Sequence, residues 1–319
     1  MGDPGGVGAE VILKAFSQHR EELTPCIPIV IGDRIVMEEA ILLLGLSVKL
    51  NIIREPEEAR LSAASIDLID MAAIRKFTKK LPTAEGGRAS VAYIKKAVEL
   101  AQSKRTDAIV TAPISKEALK MAGLKWPGHT EMIAEFTGTK QYAMMLVGGP
   151  LRVILVTIHT AIRNVPDMIR CDSVLRTVRL AQRACSMLGI ALPRIAVAGL
   201  NPHAGEAGIF GDEEIREIMP AIEAARREGI QVTGPYPPDT IFHKAYQGAV
   251  DMVVCMYHDQ GLVPLKMIAF DRGVNVTIGL PIIRTSPDHG TAYDIAWSGK
   301  ADPSSMREAL KLAAHMSLV

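Results

Sequence analysis

Short apolar runs alternate with longer amphipathic stretches along this chain. Runs rich in Val, Ile and Leu predict strands at 27–31, 48–53, 108–111, 143–147, 152–157, 194–198, 251–256 and 274–278. Between them, apolar residues recur at helical spacing. Val91, Ile94, Val98 and Ala101 form one such stripe, and Val174, Val178, Ala181, Cys185 and Leu188 form another. Ser173 is placed to cap the second helix and Gly189 to stop it. Strand–helix alternation predicts an α/β fold, with a mostly parallel sheet covered on both faces. The most apolar stretch, 142–162, is broken by Gly148, Gly149, Pro150 and Arg152, so it predicts two strands joined by a turn and not a membrane span. The opening turn, residues 2–8, reads GDPGGVG and precedes a helical pattern over 9–16. It is neither GxGxxG nor a lysine-bearing phosphate loop, so a plain tight turn is the first expectation.

Composition narrows the class. With 319 residues and 48% apolar types, the chain can bury a large core and suggests two domains or one large α/β unit. No repeat, low-complexity tract or long linker separates two domains, so they are expected to be closely joined, with the chain passing between them more than once. A net charge of +1 argues against nonspecific nucleic-acid binding, and 4% aromatics leaves few platforms for base stacking. The four cysteines, Cys26, Cys171, Cys185 and Cys255, form no CxxC pair. They fit a reducing cytoplasm better than a disulfide framework or a zinc knuckle. No charged-then-apolar leader is apparent at the start.

The candidate chemistry lies in loops. His159, His203 and His258 each fall just past the carboxyl end of a separate predicted strand. That edge is where ligands bind in open α/β sheets, and three imidazoles suit a divalent transition metal. Loop residues of this kind are more often merely polar, and the three lie too far apart in sequence to match a local metal motif, so spacing alone leaves the metal open. Asp239, in a Pro-Pro-Asp-Thr turn, is a fourth ligand or a base. Arg284 interrupts an apolar segment, where a cation is costly unless a phosphate, a carboxylate or an internal partner pairs it. Lys266 and Asn275 add polar groups suited to an anion. Gly128-His129-Thr130-Glu131 looks like a helix start with Thr130 as cap, and Asp288-His289-Gly290-Thr291 like a second polar loop before a helix.

Taken together these segments closely resemble the 4-hydroxythreonine-4-phosphate dehydrogenase family of vitamin B6 biosynthesis. The resemblance is carried by GDPGGVGAE at 2–10, TAPISK at 111–116, GHTE at 128–131, TIHTAI at 157–162 and GLNPHAGE at 199–206. It continues through PPDTIF at 237–242, MYHDQGLVPLK at 256–266 and GVNVTIGLPIIRTSPDHGTA at 273–292, in order and nearly end to end. It implies a two-domain α/β/α subunit like isocitrate and isopropylmalate dehydrogenases, with an active-site cleft between domains and completed by the partner in a homodimer. The first domain would be residues 1–130 with about 275–319. The second, about 131–274, would carry most metal ligands and the dimer interface. By motif, the metal ligands would be His159, His203 and His258. His129, Thr130, Lys266, Asn275 and Arg284 would contact substrate, and Asp239 and Lys266 would be catalytic. Asp239 or a water on the ion would take the hydroxyl proton. The resemblance implies NAD or NADP as cofactor, with no residue assigned to it, and a divalent ion (Zn, Co, Ni or Mg). It also implies a strand ahead of the opening turn, and hence a start placed further upstream.

The implied reaction is oxidation of 4-phosphohydroxy-L-threonine at C3, then decarboxylation to 3-amino-2-oxopropyl phosphate. The nearest alternative is a sister enzyme acting on 4-phospho-D-threonate or 4-phospho-D-erythronate. An acyl-phosphate transferase, whose fold is similar, would not need the three histidines, and a small-anion binding module would need no nicotinamide.

Overall fold

The computed structural model describes residues 1–17, 26–62 and 64–319. Two compact units emerge, Met1–Lys140 with Leu280–Leu318, and Gln141–Gly279 with Val319. The chain therefore crosses from the first to the second and back.

The first unit begins with helix α1 (Gly8–Ser17), strand β1 (Ile29–Gly32), helix α2 (Arg34–Leu44) and strands β2 (Lys49–Ile53) and β3 (Ser65–Asp70). Helix α3 (Ala84–Gln102), strand β4 (Ala108–Val110) and helices α4 (Lys116–Met121) and α5 (His129–Phe136) follow. In the second unit, β5 (Ala143–Gly148) and β6 (Leu151–Leu155) form a hairpin, followed by a short helix α6 (Val165–Met168) and the long α7 (Cys171–Met187). Then come β7 (Ile195–Ala198), α8 (Met219–Arg227), β8 (Val232–Tyr236), α9 (Pro238–Tyr246), β9 (Met252–Cys255), α10 (His258–Ala269) and β10 (Val274–Ile278). The chain returns to the first unit as β11 (Ile283–Pro287) and α11 (Ser304–Leu318).

In the first unit, β3 lies between β1 and β2, parallel to both, and β4 pairs with β11 in parallel. Leu13, Val36, Met37, Leu68 and Tyr93 pack into one buried core there. Helix α1 anchors the segment that leads to α11. The buried Glu10 accepts the backbone N–H groups of Trp297 and Gly299, and Lys14 donates to the carbonyls of Gly299 and Ala301 at 2.7 Å each. In the second unit the strands lie in the order β10-β5-β6-β9-β7-β8. From β6 to β8 every pairing is parallel, and β9 and β7 are buried at every residue, as strands covered on both faces must be.

The sheets are less uniformly parallel than the alternation predicts, because β5 runs antiparallel to both β6 and β10. Two caps also shift. Helix α7 starts at Cys171, and Ser173 sits one turn inside it, where its hydroxyl accepts the Arg170 N–H at 3.0 Å. Gly128, not Thr130, occupies the cap of α5. The loop at 288–291 leads into irregular chain, and α11 begins only at Ser304.

Candidate active site

In the second unit the three histidines follow β6, β9 and β7, which are neighbours in the sheet. His159 comes after β6, His258 opens α10 directly after β9, and His203 follows β7. Asp239, in the first turn of α9, follows β8, the next strand out. All four strands run parallel, so all four groups leave the same edge of the sheet. The His159 and His258 rings are 5.6 Å apart between centroids, and Asp259 lies against His258 Nδ1 at 2.7 Å. The His203 ring stands 6.2 Å from that of Phe210. Asp239 is exposed. Among the described residues no three His, Cys, Asp or Glu side chains stand close enough together to hold an ion. The chain thus brings two imidazoles side by side and holds a third on the neighbouring loop. The donor chemistry of these side chains suits a borderline divalent metal.

Lys266 lies about two turns further along α10, half-buried, its ammonium 5.8 Å from the Phe270 ring. Asn275 is level with Leu146 in the body of the sheet, and its Oδ1 is sealed from solvent with no hydrogen-bond partner among the described residues.

The first unit gathers a different set. Arg284, on β11, is registered against Ile109 of β4 and buried. Its Nη2 donates to the hydroxyl of Thr111, at the carboxyl end of β4, at 2.7 Å. Burial pushes the guanidinium down to about 10, partly offset by Glu131, so it stays charged at neutral pH. His129 and Thr130 open α5 beside it. Burial and the neighbouring Arg284 charge hold His129 well below the ordinary imidazole range, so the ring is neutral near pH 7. Its Nε2 is sealed and meets no partner among the described residues. This is a dry, cationic recess with a neutral ring, suited to an anionic oxygen. The partner residues Thr111 and Glu131 were not singled out from sequence, although both lie within quoted segments. A cavity of about 480 Å³ runs along β1 and β4 and reaches Thr111 and His129. Its other walls, among them Ile29, Ile31, Ile94 and Leu310, are mostly aliphatic.

Residues 24–313 match the family model described as pyridoxal phosphate biosynthetic protein PdxA. The chain belongs to the PdxA family. It is 51% identical over 316 residues to a 4-hydroxythreonine-4-phosphate dehydrogenase of Desulfosudis oleivorans, covering 98% of this chain and 93% of that protein. It is 48% identical to a D-threonate 4-phosphate dehydrogenase of Cupriavidus necator, covering 99% and 96%. A crystal structure of a 4-hydroxythreonine-4-phosphate dehydrogenase from Klebsiella pneumoniae matches with a TM-score of 0.91 at 43% identity, covering 99% of this chain and 98% of that one. The chain is accordingly a PdxA-family enzyme of the dehydrogenase class, with the family's mixed α/β fold. No described helix is long and apolar enough to cross a membrane.

Proposed function

We propose that this enzyme oxidises 4-phosphohydroxy-L-threonine at C3 with NAD or NADP and then decarboxylates the product to 3-amino-2-oxopropyl phosphate, as a step toward pyridoxal phosphate in a reducing cytoplasm. The observation that carries the reading is the edge of four adjacent parallel strands bearing His159, His258, His203 and Asp239.

His159, His203 and His258 would hold a divalent ion (Zn, Co, Ni or Mg). When bound, such an ion supplies Lewis acidity, lowering the pKa of the substrate hydroxyl and stabilising negative charge as carbon dioxide leaves. Asp239, exposed at the same edge, takes the hydroxyl proton. Arg284 pairs an anionic oxygen of the substrate and is aimed by Thr111. His129, held neutral, donates or accepts a hydrogen bond without adding charge, and Thr130, Lys266 and Asn275 complete the polar contacts. For the nicotinamide, the chain has no GxGxxG turn and the geometry assigns it no residue, so its role here is as hydride acceptor in the overall reaction.

We further propose that the ligand set is completed by a second copy of the chain. One observation supporting this is the outer face of α10, where Val263, Met267 and Phe270 follow one another at helical spacing, with Met267 82% and Phe270 79% exposed. The domains are proposed as residues 1–130 with about 275–319, and about 131–274; the two compact units, Met1–Lys140 with Leu280–Leu318 and Gln141–Gly279 with Val319, support a division of this kind, with the histidines in the second.

The D-threonate reading has a specific observation in its favour, the 48% identity to an enzyme named for that substrate. One experiment decides between them. NAD(P)H formation is followed with 4-phosphohydroxy-L-threonine and 4-phospho-D-threonate side by side, with added Zn²⁺, Co²⁺ or Mg²⁺. The proposal expects higher kcat/KM for the amino substrate. Preference for the threonate replaces it with the sister activity, and no turnover of either refutes both.

A further inference from the structure

Behind the histidine edge lies a continuous hydrogen-bond chain that the reaction itself does not use. The Thr157 hydroxyl, two residues before His159, donates to the Met256 carbonyl at 2.7 Å. The Met256 N–H, two residues before His258, donates to Gln260 Oε1 at 2.7 Å. Gln260 Nε2 donates to the Gly199 carbonyl at 2.7 Å. These two bonds fix which end of the amide is which, since the Met256 group is a donor and the Gly199 group an acceptor. The Gly199 N–H in turn donates to the Tyr236 carbonyl at 2.8 Å, at the end of the strand that leads to Asp239.

The chain then passes to Glu214. One carboxylate oxygen accepts the N–H groups of Leu200 and Asn201 at 2.7 and 2.8 Å. The other accepts the Asn201 amide at 2.9 Å. The loop so held has an unusual backbone. From His203 through Ala207 every residue has positive φ, between 43° and 82°. Four of the five carry side chains, which find this conformation costly and keep it only when surrounding structure dictates it. At Gly205 the turn passes close to Glu214, since a Cβ there would lie 2.8 Å from the carboxylate. Thr157, Glu214 and Gln260 are all buried. A buried carboxylate and a buried amide are expensive unless fully bonded, so they are expected where geometry must be held.

We propose that Gln260 and Glu214 are positioning residues that lock the loops of His159, His258 and His203 to one another, so that the imidazoles each chain contributes are presented to a divalent ion in a set geometry. The proposal rests on the metal reading above. Gln260 ties the His258 helix to the His203 loop, Thr157 ties the His159 loop to the His258 strand, and Glu214 imposes the left-handed turn from which His203 projects.

Co²⁺ alone is the probe, titrated into the purified full chain by calorimetry and by its visible ligand-field bands. Gln260→Glu keeps the acceptor for Met256 and sets a carboxylate against the Gly199 carbonyl. Glu214→Gln keeps one acceptor and loses the second. Thr177→Val, which removes the buried hydroxyl bond to Ser173 within α7, reports generic destabilisation. The expected result is a Co²⁺ affinity at least tenfold weaker in both Gln260→Glu and Glu214→Gln, with altered band positions, and parental binding in Thr177→Val. If either site variant fails to fold, Thr157→Val, missing one hydroxyl, is read in its place. Affinity within twofold of the parent in folded variants, or an equal loss in Thr177→Val, overturns the proposal. The metal reading is checked separately. If His258→Ala binds Co²⁺ as the parent does, that reading has failed and the brace fails with it. If His258→Ala loses binding while Gln260→Glu keeps it, only the brace is wrong.

Discussion

The two units present their functional groups in opposite ways. In the first, Arg284, Thr111, His129 and Thr130 form a buried recess, with the guanidinium pinned by Thr111 and the imidazole neutral, its Nε2 sealed from solvent without a partner among the described residues. In the second, His159, His203 and Asp239 stand exposed past the strand ends, with His258 half-buried among them. Their order comes from bonds made behind them, from Thr157 to Glu214. The difference teaches where preorganisation is stored. A group that meets an anion gains strength from a dry surrounding, whereas a group that meets an ion in a shared site must stay open and borrow its rigidity from its support.

Four measurements break or sharpen that contrast. The largest effect belongs to the open edge. His258→Ala should lower metal-dependent turnover by at least about a hundredfold, since even losing a group that only hydrogen-bonds a metal ligand costs about 10–100-fold. Thermal stability should be little changed, because the side chain is not part of the core; steady-state kinetics with a melting curve checks both. In the recess the split runs the other way. Arg284→Met should raise KM for the phosphorylated substrate by about tenfold or more, the loss of one charge-assisted bond of roughly 1.5–3 kcal/mol. Stability should stay within about 1 kcal/mol, because replacing a buried charge with an apolar chain of similar length offsets the lost Thr111 contact. A stability loss with unchanged KM would make Arg284 a structural residue.

A charge on the outer face of α10 is the third. Met267→Asp should shift the protein toward a single-chain species in analytical ultracentrifugation and weaken Co²⁺ binding with it. An assembly unchanged by this substitution would remove α10 from the interface. The smallest effect is in pH. His129 in the folded chain takes a proton only well below the ordinary imidazole pKa, near 6.5, at which the unfolded chain takes one. Above that pH the group contributes nothing to the pH dependence. Below it the unfolded state binds more protons, so stability falls as pH drops. His129→Asn should remove that part of the slope in denaturant titrations at pH 7.5 and 5.5.

Much of this was readable from residue order, and what was not has physical causes. The eight predicted strands all appear within a few residues, because buried strands leave apolar runs. Strands β3, β8 and β11 escaped notice because polar residues interrupt them. Their side chains bond locally instead: Asp67 accepts from Asn51 and from the Arg60 N–H, and Thr285 donates to the Ala309 carbonyl. The histidines were legible as strand-end residues. That β6, β9 and β7 are neighbours was not, since strand order depends on crossovers that local patterning does not encode. Gln260 and Glu214 were invisible for a related reason, as single polar residues in ordinary helical surroundings whose importance lies in partners 61 and 14 residues away.

The central claim is that the open histidine edge works through a divalent ion while the buried recess holds the substrate. The most direct test is turnover of 4-phosphohydroxy-L-threonine by chelator-stripped enzyme, before and after stepwise return of Zn²⁺, Co²⁺, Ni²⁺ or Mg²⁺. The account predicts loss of NAD(P)H formation on stripping and its recovery with at least one of these ions, with no recovery in His258→Ala. Full turnover in the presence of chelator would contradict it.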